Sequence, residues 1–235
     1  MTRKEIEEYI VNGLTDKLAK HDFVLSEVSY KGERYAEYEY KKGEAIYKWT
    51  IIFKKYGGIS VSLLIYYVPI SKLYKQLSKV INDGNNFVFS DRMNTYLHPK
   101  NADGYHNTSD YLDSLYRKEI SEGKNLNDVV GYIYLTYFVD GVPKLIAQTD
   151  TLEKANDIIN DIPIKYKENG KPKMLIISTS FVDQILNGIL TAQAINSPKY
   201  EEIRNEYLKY AEKFEPGRIV EIDLMREAIE KYSHS

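Results

Sequence analysis

Apolar residues open the chain at every fourth position, Ile6, Ile10, Leu14 and Leu18, which is the period of one face of an α-helix. Thr2 and Glu5 stand three apart just before this stripe, the spacing of a capping box. The period then changes to two. Val24, Val28 and Tyr30 share one side of a first strand. Ala36, Tyr38 and Tyr40 alternate with Glu37 and Glu39. Ala45, Tyr47, Trp49, Ile51 and Phe53 alternate with Lys48, Thr50 and Lys54, and Ile59, Val61, Leu63, Ile65 and Tyr67 alternate with Ser60 and Ser62. Lys31-Gly32, Lys41-Lys42-Gly43 and Gly57-Gly58 separate these runs, and short glycine-containing breaks between alternating runs predict hairpins. Pro69 ends the last strand, and Ser71 opens a helix whose apolar side holds Leu73, Leu77, Val80 and Ile81.

The pattern therefore predicts an α+β fold. Residues 1–83 form an N-terminal helix, a four-stranded antiparallel meander and a helix. Residues 84–125 are a polar connection with a brief strand at Phe87–Phe89 and a short helix at Ser109–Ile120. Residues 126–235 form a C-terminal lobe of a β-hairpin plus helices, and the two lobes share one core or keep two. In that lobe Tyr132–Val139 and Leu145–Gln148 read as strands about an Asp140-Gly141 turn. Asp150 and Glu153 read as a second capping box, before Leu152, Ala155, Ile158, Ile159 and Ile162. Asn169-Gly170 reads as a further hairpin turn into Met174–Ile177, and three helices follow, around Ile185 and Ile189, after Pro198, and from Asp223.

Composition narrows the function. The 43% apolar and 28% charged residues suffice for a packed core. A net charge of −2, from 32 basic and 34 acidic residues, gives no global field for nucleic acid or anionic lipid. There is no cysteine, which removes disulfides, thiolate catalysis and cysteine-ligated metal. The first residues lack a leader's apolar region, and no window reaches the ~18 consecutive apolar residues of a membrane span. The expectation is a cytoplasmic protein without membrane contact or cofactor. Twenty-two tyrosines against one tryptophan suit pleated surfaces and also interfaces, since tyrosine joins apolar area to a hydroxyl.

Phosphate-loop, dinucleotide-fold, serine-hydrolase and zincin motifs are absent. The 83–110 stretch is a long polar connection, a kind that leans towards function. It carries His98 and His106 with Asp91, Arg92, Asp103 and Asp110; two imidazoles and several carboxylates are the residue types for a divalent metal or a general base with its orienting acid. Glu39-Tyr40-Lys41 is an E-x-K element in a helix–strands–helix setting. Over roughly the first third of the chain this resembles the PD-(D/E)XK nucleases. That resemblance implies carboxylates holding magnesium and a lysine positioning water, here Glu39 and Lys41, although no Asp-bearing strand precedes them.

Tyr35, Tyr47, Trp49 and Tyr66 with Lys48 and Lys54 have the residue types of a base-stacking sheet. Alternation, however, puts Tyr47 and Trp49 on the side opposite Lys48 and Lys54. Lys165, Lys167, Lys171 and Lys173 read as a solvated hairpin tip. The pattern as a whole points to a non-catalytic module that binds another protein, of the kind seen in bacterial or mobile-element immunity and inhibitor proteins. Nucleic acid ranks behind, and the alternative is a metal-dependent hydrolase or nuclease using the 91–110 loop or the Glu39/Lys41 pair.

Overall fold

The computed structural model describes residues 1–30, 34–55, 58–77, 89–91, 126–139, 141–161, 167–168, 171–172 and 181–214, with 223, 226, 227, 229 and 230. Its fold class is α+β: an N-terminal helix, a four-stranded antiparallel sheet, then helices. The chain forms two compact units. One comprises Met1–Lys41, Tyr47–Leu64 and Asp91–Ala147; the other comprises Lys42–Ile46, Ile65–Ser90 and Gln148–Ser235.

Helix α1 (Arg3–Leu18) starts where the capping box predicts. The Glu5 N–H donates to Thr2 Oγ1, and the Thr2 N–H donates to the Glu5 carboxylate at 2.6 Å. Those bonds from Thr2 hold the Glu5 carboxyl below its ordinary range. The predicted stripe is buried, and each such aliphatic side chain contributes about 1.5–3 kcal/mol by leaving water. After a 3-10 turn at Ala19–His21, Asp22 adopts φ 62. The Phe23 N–H then reaches Leu18 O, and the Asp22 N–H reaches Ala19 O. This is a Schellman ending, with apolar Leu18 and Phe23 closing it.

The strands follow as β1 (Val24–Ser29), β2 (Arg34–Lys42), β3 (Ala45–Phe53) and β4 (Ile59–Tyr67), and a short β5 (Phe89–Asp91) extends the sheet in the order β1-β2-β3-β4-β5. Gly43, at φ 59, makes the tight β2–β3 turn; a left-handed residue matches the twist of two-residue hairpins. The alternating residues predicted for the inner face are buried from Ala36 and Tyr38 through Phe53 to Tyr67. Tyr38 ties this face to α1. Its hydroxyl donates to Val11 O at 2.9 Å and lies 3.2 Å from Thr15 Oγ1. Burial pushes the phenol up to about 12.

Helix α2 (Val68–Leu77) begins directly after β4. Pro69 therefore sits in its first turn, where a missing N–H costs nothing, and does not separate strand from cap.

The expected strands at Tyr132–Val139 and Leu145–Gln148 are helical. Helix α3 (Asn127–Tyr132) runs into a π-helical segment (Ile133–Val139), and α4 (Val142–Thr149) follows Gly141. Strand alternation would put residues 133, 135, 137 and 139 on one face. Instead Val129, Val130, Ile133, Tyr137 and Phe138 are buried, while Leu135 is 56% and Val139 38% exposed. Burial at spacings of one, three and four is helical, and Pro143 is a first-turn proline rather than an edge-strand one. By length and composition the run Asn127–Thr149 could cross a membrane; its buried side packs on α1, as a core helix does.

In the second unit, α5 (Leu152–Asp161) is capped one residue later than expected. The Lys154 N–H reaches Thr151 Oγ1. Asp150 instead pairs with Lys154 at 2.7 Å and Lys42 at 2.9 Å. Strand β6 (Lys167–Glu168) pairs antiparallel with β7 (Lys171–Pro172), while the predicted turn Asn169-Gly170 and strand Met174–Ile177 lie outside the described residues.

Helix α6 (Phe181–Ala194) is central: Ile185 through Ala192 are buried, and it packs on α2, α5 and α7 (Tyr200–Phe214). It ends in a second Schellman motif. Asn196 is at φ 50, with N–H bonds from Ser197 to Ala192 O and from Asn196 to Gln193 O. Further on, Asp223 and its described neighbours are helical, and Ile229 is buried. Tyr207 of α7 lies over Gly188 of α6. A Cβ at Gly188 would stand 2.5 Å from the Tyr207 ring, whose hydroxyl donates to Ile159 O.

Gly188→Ala is therefore expected to destabilise the protein by about 1–3 kcal/mol through overpacking. In a Tyr207→Leu background the loss shrinks. Urea denaturation of the double-mutant cycle checks this, and simple additivity would refute the contact.

The second test is acid titration. The bonds from Lys154 and Lys42 lower the Asp150 carboxyl from 3.8 to about 2. A depressed folded-state value means that Asp150 stabilises the fold above pH ~4 and loses that contribution as pH falls towards ~2. The side-chain carbonyl resonance of Asp150 should titrate near 2 and move back towards the ordinary value in Lys154→Met.

Candidate functional site

The E-x-K pair lies on the wetter face of β2. Glu39 faces Val24 across the β1–β2 ladder, and its carboxylate meets Lys41 Nζ at 3.0 Å. Lys41 is 68% exposed, so this is a surface ion pair worth at most about 1 kcal/mol. Among the described residues, no group of three or more His, Cys, Asp or Glu comes together to hold a metal. His98, Asp103, His106, Asp110 and Arg92 lie outside the described residues, and Asp91 closes β5. Lys167 and Lys171 stand on the β6–β7 hairpin, while Lys165 and Lys173 are outside the described residues.

The sheet separates the aromatics from the cations. Tyr47 and Trp49 are fully buried, with Trp49 5.8 Å from the Tyr38 ring and 6.2 Å from Phe138. Lys48, on the other face, reaches Glu37 at 2.7 Å. Tyr35 donates its hydroxyl to Glu27. Stacked bases need rings and cations on one accessible surface, and β3 does not provide it.

Two features that the sequence pattern does not reveal are better candidates, both in the first unit. One is strand β1. It is an edge strand with a register shift between Leu25 and Glu27. One extra residue reverses the facing of everything beyond it. Val24 therefore pairs with Glu39 on the outer face and Val28 with Ala36 on the inner one, so they do not share a side. Both are exposed all the same, 67% and 43%. The bulge also puts Glu27 opposite Glu37. The Tyr35 hydroxyl relieves the first carboxylate, while Lys48 Nζ and Ser26 Oγ relieve the second.

Just before β1, Phe23 meets Phe138 edge-on at 5.0 Å and stacks on Tyr40 at 5.2 Å. His21 lies 4.9 Å from Phe138 and 2.7 Å from the Tyr134 hydroxyl. Val24 is thus chain neighbour to one member of this ring cluster, and Val139 to another; both valines are left to solvent. The sequence carries no signal for this surface, because the pairing of Val24 with Glu39 is set by the bulge register.

The second feature is a buried carboxylate. Glu7 of α1 is fully buried, and its two oxygens are held by two guanidiniums, Oε1 by Arg3 Nε at 2.7 Å and Oε2 by Arg34 Nη1 at 3.0 Å. Arg3 also donates to the carbonyls of Lys54 and Lys55, joining the first turn of α1 to the end of β3. An adjoining cleft of about 400 Å³ is lined by Arg3, Arg34, Phe53 and Lys55. The i,i+4 spacing of Arg3 and Glu7 was legible in the sequence, whereas the approach of Arg34 depends on the fold.

Removing the buried anion leaves two guanidiniums facing each other. Because both are about one-third exposed, Glu7→Met is expected to cost about 2–3 kcal/mol, below the full penalty of a stranded buried charge. The triple variant Arg3→Met/Glu7→Met/Arg34→Met should recover most of that loss in thermal denaturation. A triple variant less stable than the single one would contradict this account.

No protein-family model, curated protein or solved structure matches the chain.

Proposed function

We propose that this protein is a non-catalytic module that binds another protein through the β1 side of its first unit. The observation that carries the reading is the exposure of Val24 and Val28 on an edge strand. A charged or polar side chain there would leave the fold intact, because neither valine is part of the core. Edge strands in isolated proteins are commonly blunted by charge, and apolar exposure on one is a mark of partner surfaces. Leu135 and Val139, exposed on the π-helical segment, add apolar area in the same unit. Val139 flanks Phe138, which meets Phe23 just ahead of β1.

The bulge shapes the mode of binding. It interrupts a regular ladder and turns Val24 and Val28 to opposite faces, so a partner gains more from wrapping the β1 edge, one valine on each side, than from extending the sheet by a long strand. An inhibitor or immunity protein works by such surface coverage. Apolar anchors of this kind contribute most where neighbouring contacts exclude water.

The test is Val24→Asp/Val28→Asp. Surface changes of this kind leave stability within about 0.5 kcal/mol. A partner captured by cross-linking in cells that make the protein is expected to bind the variant more weakly by roughly thirtyfold for each 2 kcal/mol anchor lost. Undiminished capture by a variant with unchanged circular dichroism would refute the β1 surface as the interface.

A further inference from the structure

We propose that Trp49, Phe138, Tyr134 and His21 form a redox relay, which moves a one-electron oxidation from the core of the first unit to a half-buried phenol at its surface. All four residues belong to that unit. Their rings make a continuous path. Trp49 meets Phe138 edge-on at 6.2 Å, and Phe138 stacks on Tyr134 at 5.9 Å. Beyond Tyr134 stands His21, with Nε2 2.7 Å from the phenol oxygen. The chain has no cysteine, so no thiol competes as a sink for oxidising equivalents.

The two ends of the path are built differently. Trp49 is fully buried, and its indole N–H meets no acceptor among the described residues. A buried group left in this way calls for an explanation, and a redox role is one. An oxidised indole gives up its N–H proton only to a neighbouring base. Here the radical cation keeps that proton, and its charge lacks water, so it stays a strong oxidant. At the other end, with the imidazole proton on Nδ1, His21 Nε2 accepts from the Tyr134 hydroxyl. A phenol loses an electron far more easily when its proton has an acceptor.

Electrons and protons balance. An external one-electron oxidant, a radical or photoexcited species, takes one electron from Trp49. Tyr134 passes one electron through the Phe138 ring to Trp49 and its hydroxyl proton to His21 Nε2, leaving a neutral phenoxyl radical and an imidazolium. A one-electron reductant of the ascorbate class then returns an electron to the phenoxyl oxygen, and His21 returns the proton. The Lys17 ammonium, 5.1 Å from the Tyr134 ring centroid, favours the intact phenol. Proton uptake by His21 is therefore what drives the transfer.

Tyr38 is a nearer phenol, 5.8 Å from the Trp49 ring, yet it is the poorer donor. Its hydroxyl donates to Val11 O, an amide oxygen too weakly basic to take the proton, and burial holds the phenol up at about 12. The relay uses neither Val24 nor Val28 and stands independently of the β1 surface.

The experiment is laser flash photolysis of the full chain. Light at the red edge of indole absorption ionises the single tryptophan, and dissolved oxygen captures the ejected electron. The indole radical band is expected to decay as a phenoxyl band grows, more slowly in heavy water than in light water. Tyr134→Phe keeps the stacked ring and should lengthen the indole radical's lifetime by about tenfold or more. His21→Gln should lengthen it too and remove the solvent isotope effect, while Tyr38→Phe leaves it unchanged. If His21→Gln fails to fold, Tyr134→Phe, which removes a hydroxyl alone, decides. An unchanged lifetime in Tyr134→Phe, or a longer one in Tyr38→Phe instead, would overturn the relay, as would decay of the indole radical without growth of a phenoxyl band.

Discussion

A tyrosine hydroxyl taken out of water must find an acceptor, and in three places this protein meets that demand with a helix carbonyl. Tyr38 donates to Val11 O, Tyr67 to Thr149 O and Tyr207 to Ile159 O. Thr149 and Ile159 lie in the last turns of their helices, where carbonyls lack an intrahelical partner. One bond therefore satisfies two groups that would each be costly if left alone. The large rings bring apolar area, and the hydroxyls fix where that area sits. Gly188 follows from this constraint: Tyr207 can reach Ile159 only by lying across α6, and at 2.5 Å there is no room for a Cβ. These three of the chain's 22 tyrosines are thereby spent inside.

The first unit shows a comparable economy with charge. Glu7 is buried in the helix face that also buries Ile6 and Ile10, a place where an unpaired carboxylate would be untenable. Two guanidiniums make it tolerable, and one of them is held in turn by the carbonyls at the end of β3. The carboxylate thus serves as a fixed pivot. Its partners remain partly exposed, which is why the same cluster presents positive charge to a cleft.

Legibility in the sequence varied with how local the determining interaction is. The capping box of α1, its stripe, and the alternation of β2 to β4 depend on residues close in the chain, and all three are found where the pattern puts them. The segment at 132–149 was misread because Ile, Tyr, Leu, Val and Phe crowd every position, and a short apolar run carries no decisive period. The two Schellman endings were also invisible. Their left-handed positions hold Asp22 and Asn196 rather than the glycine that usually marks them. Of the candidate chemistry, Glu39 and Lys41 lie on the wetter face of β2, where they meet each other. Arg34 could not be joined to Glu7 from sequence, because 27 residues and a hairpin separate them. Nor could the bulge at β1 be seen, since one extra residue leaves no compositional trace.

Trp49 is the chain's single tryptophan, and it belongs wholly to the first unit. It is fully buried between the rings of Tyr38 and Phe138, and its indole N–H meets no acceptor among the described residues. An indole in such dry surroundings emits towards the blue, and solvent entry moves that emission to the red. Selective excitation of this one fluorophore therefore reports directly on the core under α1. Far-ultraviolet dichroism reports on both units at once, so a difference between the two signals would separate the melting of one unit from that of the other without any label.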